Sequence, residues 1–258
     1  QLNERLQAEN LRMSTELDIL QQMQQLILPK PEELQEIDTL DIAGYMQPAA
    51  EMGGDYYDVL AIDGVVTIGI GDVTGHGLES GILMIMTQAA VRTLQEMGED
   101  NPVRFLDTIN RTIYKNVRRM NTAKNLTLAI LTYADGNLSI SGQHEEVLVM
   151  RHGGEVERID TLDLGFPIGL EDNIAEFINS TNLHLQVGDG VVLYTDGITE
   201  AQNEAHEFYG IDRLCQVVSQ NWEQPAIAIQ TAIMEDLQAF MGQQRQFDDI
   251  SLLIVKQK

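Results

Sequence analysis

Acidic residues beside glycine, or beside a second Asp, recur at the ends of apolar segments in this sequence. They are Asp55 in Gly53-Gly54-Asp55-Tyr56-Tyr57-Asp58, Asp72 in Gly71-Asp72-Val73-Thr74-Gly75-His76-Gly77, Asp196 in Tyr194-Thr195-Asp196-Gly197, and Asp248-Asp249 in Phe247-Asp248-Asp249-Ile250. A carboxylate next to a buried strand is costly unless something neutralises it. Gathered in one place, such carboxylates repel and raise one another's pKa. A bound divalent cation removes the conflict, and an all-oxygen donor set selects hard ions such as Mg²⁺ or Mn²⁺. Zinc is excluded on donor type: Cys215 is the only cysteine, and His76, His144, His152, His184 and His206 have no ligand spacing. A single Asp-Gly at a strand end is more often a plain turn, and Asp63-Gly64, Asp135-Gly136 and Asp189-Gly190 are assigned as turns. The joint pattern of the others carries the metal expectation.

The rest of the composition narrows the partners. The 258 residues hold 40 Asp plus Glu against 16 Lys plus Arg, a formal charge of −24. A surface this acidic repels phosphate backbones and anionic lipid, so neither nucleic acid nor membrane is expected as a partner. No apolar run approaches the roughly 18 residues of a membrane span. One cysteine rules out a disulfide framework; in Leu214-Cys215-Gln216-Val217-Val218 it reads as a small packing residue of a helix. No signal peptide is visible and the chain lacks an initiator Met, so a cytoplasmic setting in a longer protein is expected.

Two regions are distinguished by composition. Residues 1–28 are rich in Gln, Glu, Leu and Met, and Leu6, Met13, Leu20 and Ile27 recur at seven-residue spacing. The companion row is Asn3, Asn10, Leu17 and Gln24, giving a coiled-coil seam with one strong and one weak row. A helix of this length cannot bury its own stripe, which favours a homodimer through this segment over packing on the chain's own domain. Pro29 and Pro31 end the helix and start a second region, residues 29–258.

In the second region strands are expected over 41–46, 56–62, 65–70, 126–131, 147–150, 191–194 and 250–255. Asp63-Gly64 joins two of them as a tight hairpin. Helices are expected with stripes Leu78, Ile82, Ile85, Ala89, Leu94 and Leu106, Ile109, Ile113, Val117, Met120, and again over 210–221 and 225–241. Strands interrupted by pairs of helices do not alternate as a parallel sheet would. They imply an α+β layered domain with antiparallel sheets and helices outside.

These motifs, in this order, resemble the metal-dependent phosphatases of the protein phosphatase 2C (PPM) type, in the bacterial SpoIIE/RsbU-like branch. The matching segments are Tyr45-Met46-Gln47-Pro48-Ala49, the Gly53–Asp58 and Gly71–Gly77 segments, Leu193-Tyr194-Thr195-Asp196-Gly197-Ile198-Thr199-Glu200 and Asp248-Asp249-Ile250-Ser251-Leu252. The resemblance covers about residues 27–258. It implies an αββα sandwich of two antiparallel sheets, with two Mn²⁺ or Mg²⁺ ions at one end and a third at higher concentration. On that pattern Asp72 bridges the ions and the Val73 carbonyl completes a shell. Asp196 and Asp248 hold one ion and Asp55 serves the other, while Asp249 gives a supporting hydrogen bond. Asp72, Asp55, Asp196 and Asp248 are thus the expected catalytic set.

The implied reaction is hydrolysis of phosphoserine or phosphothreonine on a protein, by a water activated between two metals and without a covalent enzyme intermediate. The implied substrate is a STAS-type anti-sigma-factor antagonist, and the implied context is the output domain of a signalling protein behind a sensor or receiver domain. His76 follows Asp72 at a spacing of four rather than the two of eukaryotic relatives, and is assigned to the loop ahead of a general-acid role. No substrate-gripping Arg is identifiable from the pattern. Where many relatives carry Ala-Gly-His-Asn/Pro, this chain has Ser141-Gly142-Gln143-His144-Glu145-Glu146, expected as a hairpin variation clear of the metal ligands. The competing readings are an inactive adaptor of the same fold and a dimerisation module with a solvated acidic face.

Overall fold

The computed structural model describes residues 22, 25–49 and 53–258. The heptad positions Leu6, Met13 and Leu20 lie outside the described residues.

After the short helix α1 (Pro31–Gln35), the chain lays down β1 (Leu40–Gln47), β2 (Tyr56–Ile62) and β3 (Val65–Val73). Two long helices follow, α2 (Leu78–Glu96) and α3 (Pro102–Met120). Then come β4 (Leu126–Ala134), β5 (Asn137–Gln143), β6 (Val147–Met150), β7 (Val156–Ile159), β8 (Ser180–His184) and β9 (Gly190–Tyr194). The chain ends through α4 (Asp196–Thr199), α5 (Ile211–Asn221), α6 (Ala226–Met241) and β10 (Ile250–Gln257). The strands form two five-stranded sheets, ordered β1-β10-β9-β6-β7 and β2-β3-β4-β5-β8. Every pairing within them is antiparallel.

The central strands are apolar on both faces because both faces are covered. In β4, Ala129, Leu131 and Tyr133 meet the other sheet, while Leu126, Leu128 and Ile130 meet α2 and α3. In β9 and β10, Val191, Leu193, Leu253 and Val255 enter the core between the sheets. Val192, Tyr194, Leu252 and Ile254 instead lie under α5 and α6, with Leu214, Val218, Ile229 and Ile233 above them. The result is four layers, helix–sheet–sheet–helix. Both assigned hairpins have left-handed backbone at both central residues, with φ 50° and 83° at Asp63-Gly64 and 48° and 79° at Asp135-Gly136. Asp189 is likewise structural: its carboxylate accepts the His152 and Gln186 N–H groups at 2.8 and 3.1 Å.

Two sequence expectations are corrected. The stripe on α2 is displaced: Leu78 is 53% exposed, Ala89 is exposed, and Ile82 and Ile85 are only half-buried. The buried face holds Leu83, Met84, Val91 and Leu94 together with Ser80, Thr87 and Gln88. Polar residues can occupy it because Ser80 and Thr87 donate to the Gly75 and Leu83 carbonyls, each at 2.8 Å. The Ser141–Glu146 segment is no hairpin. β5 and β6 belong to different sheets, so this segment is the crossover that carries the chain from one sheet to the other. Gly142 in left-handed conformation (φ 86°) begins it.

Candidate metal centre

Antiparallel pairing places the start of one strand beside the end of its neighbour, and that geometry gathers the aspartates. Asp55 immediately precedes β2 and Asp72 sits near the end of β3, its neighbour. Asp196 follows β9, and Asp248-Asp249 precede β10, again its neighbour. All therefore emerge at one end of the two sheets. Asp55 and Asp249 are 1% and 3% exposed, Asp72 and Asp196 are half-buried, and Asp248 is exposed.

Hydrogen bonds across the sandwich fix the buried members. The Thr195 hydroxyl donates to Asp55 Oδ2 at 2.8 Å and accepts the Ser251 N–H at 3.0 Å, so the end of β9 holds a carboxylate belonging to the other sheet. Asp249 Oδ1 accepts the Ala49 N–H at 2.8 Å, and the Asp249 N–H donates to Asp248 Oδ1 at 2.8 Å. The glycines of the motifs have a packing reason. A Cβ on Gly53 would lie 1.2 Å from Asp249 Oδ2, one on Gly54 2.3 Å from the Val73 carbonyl oxygen, and one on Gly197 1.8 Å from the Asp249 carbonyl oxygen.

The electrostatics follow from burial and like charge. Desolvation, with Asp72 and Asp249 nearby, pushes the Asp55 carboxyl well above its usual range. Desolvation, with Asp196, Asp248 and Asp249, takes Asp72 up to about 8. Asp196 rises to about 6 through burial and then Asp248 and Glu200, and burial raises Asp249 as well. Among the described residues no three acidic, His or Cys side chains converge as a finished coordination shell. The carboxylates are close neighbours. The donors present, carboxylates and the Val73 carbonyl against a glycine-lined cradle, are all hard oxygens. They fit Mg²⁺ or Mn²⁺ and do not fit a soft or nitrogen-preferring ion. His76 is exposed on the loop after Asp72 and lines a cavity together with Asp248 and Asp249.

Several residues at this end were given no role of their own by the sequence pattern. Thr195 acts across a separation of 140 residues. Glu145, on the crossover, lies near enough to Asp196 for that charge to help raise its carboxyl, burial being the larger cause. The crossover therefore is not clear of the site. His144 stands between the sheets, with Nδ1 2.8 Å from Thr127 Oγ1 and Nε2 3.0 Å from the Tyr194 carbonyl oxygen. A carbonyl can only accept, so Nε2 carries the proton and Nδ1 accepts from the Thr127 hydroxyl. Thr127 is the register partner of Asp72, and Tyr194 precedes Thr195-Asp196. His144 thus ties β9, which leads into Asp196, to β4, the neighbour of the strand that carries Asp72.

Desolvation lowers His144 from 6.5 to about 4. Between those values the unfolded chain binds a proton that the folded chain does not, so this site costs stability as pH falls through the window. His144→Gln should be less stable than wild type at pH 7, with the gap in thermal midpoint narrowing as pH drops from 7 toward about 4. A gap independent of pH would mean that the imidazole is not held neutral.

Comparison with known proteins agrees with this architecture. The family model described as Stage II sporulation protein E (SpoIIE) matches residues 62–258, which include Asp72, Asp196, Asp248 and Asp249 with their flanking motifs. The chain belongs to the SpoIIE family. Among curated relatives, Protein IcfG of Synechocystis sp. is 27% identical over 269 residues, covering 93% of this chain and 41% of that protein. Phosphoserine phosphatase RsbU of Bacillus subtilis is 26% identical over 201 residues, covering 74% of this chain and 56% of that protein. The chain thus spans about half the length of these relatives. The solved SiaA-PP2C domain of Pseudomonas aeruginosa shares the fold, with a TM-score of 0.82 at 21% identity over 97% of this chain and 99% of that one. No helix among the described residues is long and apolar enough to cross a membrane.

Proposed function

We propose that this chain is a metal-dependent serine/threonine protein phosphatase, hydrolysing phosphoserine or phosphothreonine on a partner protein. The observation that carries the reading is the gathering of Asp55, Asp72, Asp196, Asp248 and Asp249 at one end of both sheets, where burial and neighbouring negative charge raise the carboxyls of Asp55, Asp72, Asp196 and Asp249. Asp72, Asp196, Asp248 and Asp55, with the Val73 carbonyl, would hold two Mn²⁺ or Mg²⁺ ions, and Asp249 would support them. Such ions, when bound, supply Lewis acidity that makes water nucleophilic near neutral pH and offsets phosphoryl charge. The protein's own part is positioning. Thr195 orients Asp55, Ala49 and the Gly53 cradle orient Asp249, and His144 links β4 of one sheet to β9 of the other. Cys215, the only thiol, packs among the residues under α5 and α6, which supports direct attack by water over a thiol nucleophile.

The name of RsbU supports a phosphoserine substrate, and its kinship supports a STAS-type anti-sigma-factor antagonist as the partner. In both curated relatives the matched part is a fraction of a longer protein. That supports an output domain behind a sensor or receiver, joined by a dimeric helix within residues 1–28, in the cytoplasm. The test is calorimetric titration with Mn²⁺ while p-nitrophenyl phosphate turnover is recorded. Binding together with Mn²⁺-dependent turnover is expected. Binding without turnover would favour the adaptor, and no binding would overturn the metal site.

A further inference from the structure

Positive charge is scarce where the carboxylates gather. Two cavities, of about 180 and 220 Å³, adjoin Asp248. The first is lined by Phe208, the second by His76 and Asp249, and the segment 245–247 walls both. Arg245 is the only Lys or Arg lining either cavity among the described residues. Other arginines are engaged: Arg92 with Asp58, Arg104 with Glu99, Arg111 with Asp107, Arg151 with Asp189, Arg158 with Glu146 and Arg213 with Asp236. The Arg245 side chain is exposed and makes no ion pair among the described residues, although the chain carries a formal charge of −24.

The backbone that presents it is nonetheless fixed. Gln246 Nε2 donates to the Gln47 and Asp248 carbonyls at 2.9 and 2.8 Å, and Asp249 accepts the Ala49 N–H at 2.8 Å. Phe247 and Phe208 stand 67% and 60% exposed beside it. A guanidinium with no ion pair among the described residues, on a pinned segment between aromatic side chains at the rim of an acidic centre, has the chemistry of an anion grip. Its planar fork matches two phosphoryl oxygens at once, and its charge offsets the repulsion that the carboxylates exert on an incoming dianion.

We propose that Arg245 binds the phosphoryl group of the substrate, a phosphoserine or phosphothreonine segment lying across the cavity lined by Phe208 and Phe247. This rests on the phosphatase reading and names the residue that recognises its substrate. The experiment compares wild type, Arg245→Ala, Arg245→Lys and, as a control for loss of one exposed charge, Arg119→Ala on α3. It records p-nitrophenyl phosphate kinetics in Mn²⁺, with inhibition by inorganic phosphate. Arg245→Ala should raise both KM and the phosphate inhibition constant by roughly ten- to a hundredfold, with a much smaller change in kcat. Arg245→Lys, which keeps the charge and loses the fork, should fall between, and Arg119→Ala should match wild type. Thermal midpoints and Mn²⁺ affinity should stay unchanged throughout. KM and inhibition constants equal to wild type in Arg245→Ala, or a loss confined to kcat, would overturn the assignment while leaving the phosphatase reading in place. A wild type without turnover would overturn both.

Discussion

Asp72→Asn should lose more than about 100-fold in Mn²⁺-dependent phosphoester turnover, and the same protein without metal should melt at a higher temperature than wild type near pH 8. The lower limit for activity follows because even partners one step removed from a metal are worth roughly 10- to 100-fold, and Asp72 lies among all the other carboxylates of the centre. The gain in stability follows from linkage. The Asp72 carboxyl is held at about 8 in the folded chain against its ordinary value of 3.8. Within that window the folded state keeps a proton that the unfolded state has released, so wild-type stability falls as pH rises. An amide has no proton to lose and adds no charge to the cluster. The advantage of the Asn variant should therefore be absent near pH 4 and grow toward pH 8. Thermal melts in chelator at several pH values, with turnover assayed in parallel, check both signs. Loss of stability and activity together would make Asp72 a packing residue and would sink its proposed role as a ligand.

What the sequence could reveal was decided by how local each cause is. β4, β9 and β10 were legible because burial on both faces leaves an unbroken apolar run, as in Leu126-Thr127-Leu128-Ala129-Ile130-Leu131. β7 and β8 were not, because each is an edge strand of its sheet and half or more of its positions face solvent. The α2 stripe was misplaced for a related reason: hydroxyls that bond back to backbone carbonyls can be buried, and hydrophobic periodicity does not see them. The aspartates were visible through their neighbours, since Gly53, Gly54 and Gly197 are required by contacts closer than any Cβ allows. Thr195, Glu145, His144 and Arg245 gave no such signal. Thr195, Glu145 and His144 act on partners far away in sequence, and a lone Thr, Glu, His or Arg has no spacing to betray it. The crossover was misread because the pairing of β5 with β8, rather than with β6, is set by the whole sheet.

Arg92→Ala should cost about 3 kcal/mol of stability, the low end of the range for stranding a buried charge. Asp58 on β2 is 1% exposed and takes Arg92 Nε and Nη2 at 2.8 and 3.0 Å, with the Val59 N–H at 3.0 Å. Tyr56 adds to the demand there. Its hydroxyl is buried with no hydrogen-bond partner among the described residues, and burial and then Asp58 push its pKa well up, with Arg92 opposing. Removing the guanidinium leaves the Asp58 carboxylate with backbone contact alone. The Arg92 side chain is 44% exposed, so water can enter where it stood, which holds the cost below the roughly 5 kcal/mol of a fully enclosed pair. Urea unfolding measures this as a lower midpoint with unchanged slope. Replacing both partners by leucine should recover most of the loss, because no charge is then left without a partner. The same double variant tests a link to the site. Asp58 lies on the strand that follows Asp55, and Arg92 on the helix that follows the Asp72 loop, so the bridge joins α2 to β2 between the two aspartate-bearing segments. If stability returns in the double variant and Mn²⁺ affinity does not, the bridge governs site geometry. If both return, its role is confined to folding. A loss below about 1 kcal/mol in Arg92→Ala would show that Asp58 is hydrated as readily as a surface carboxylate.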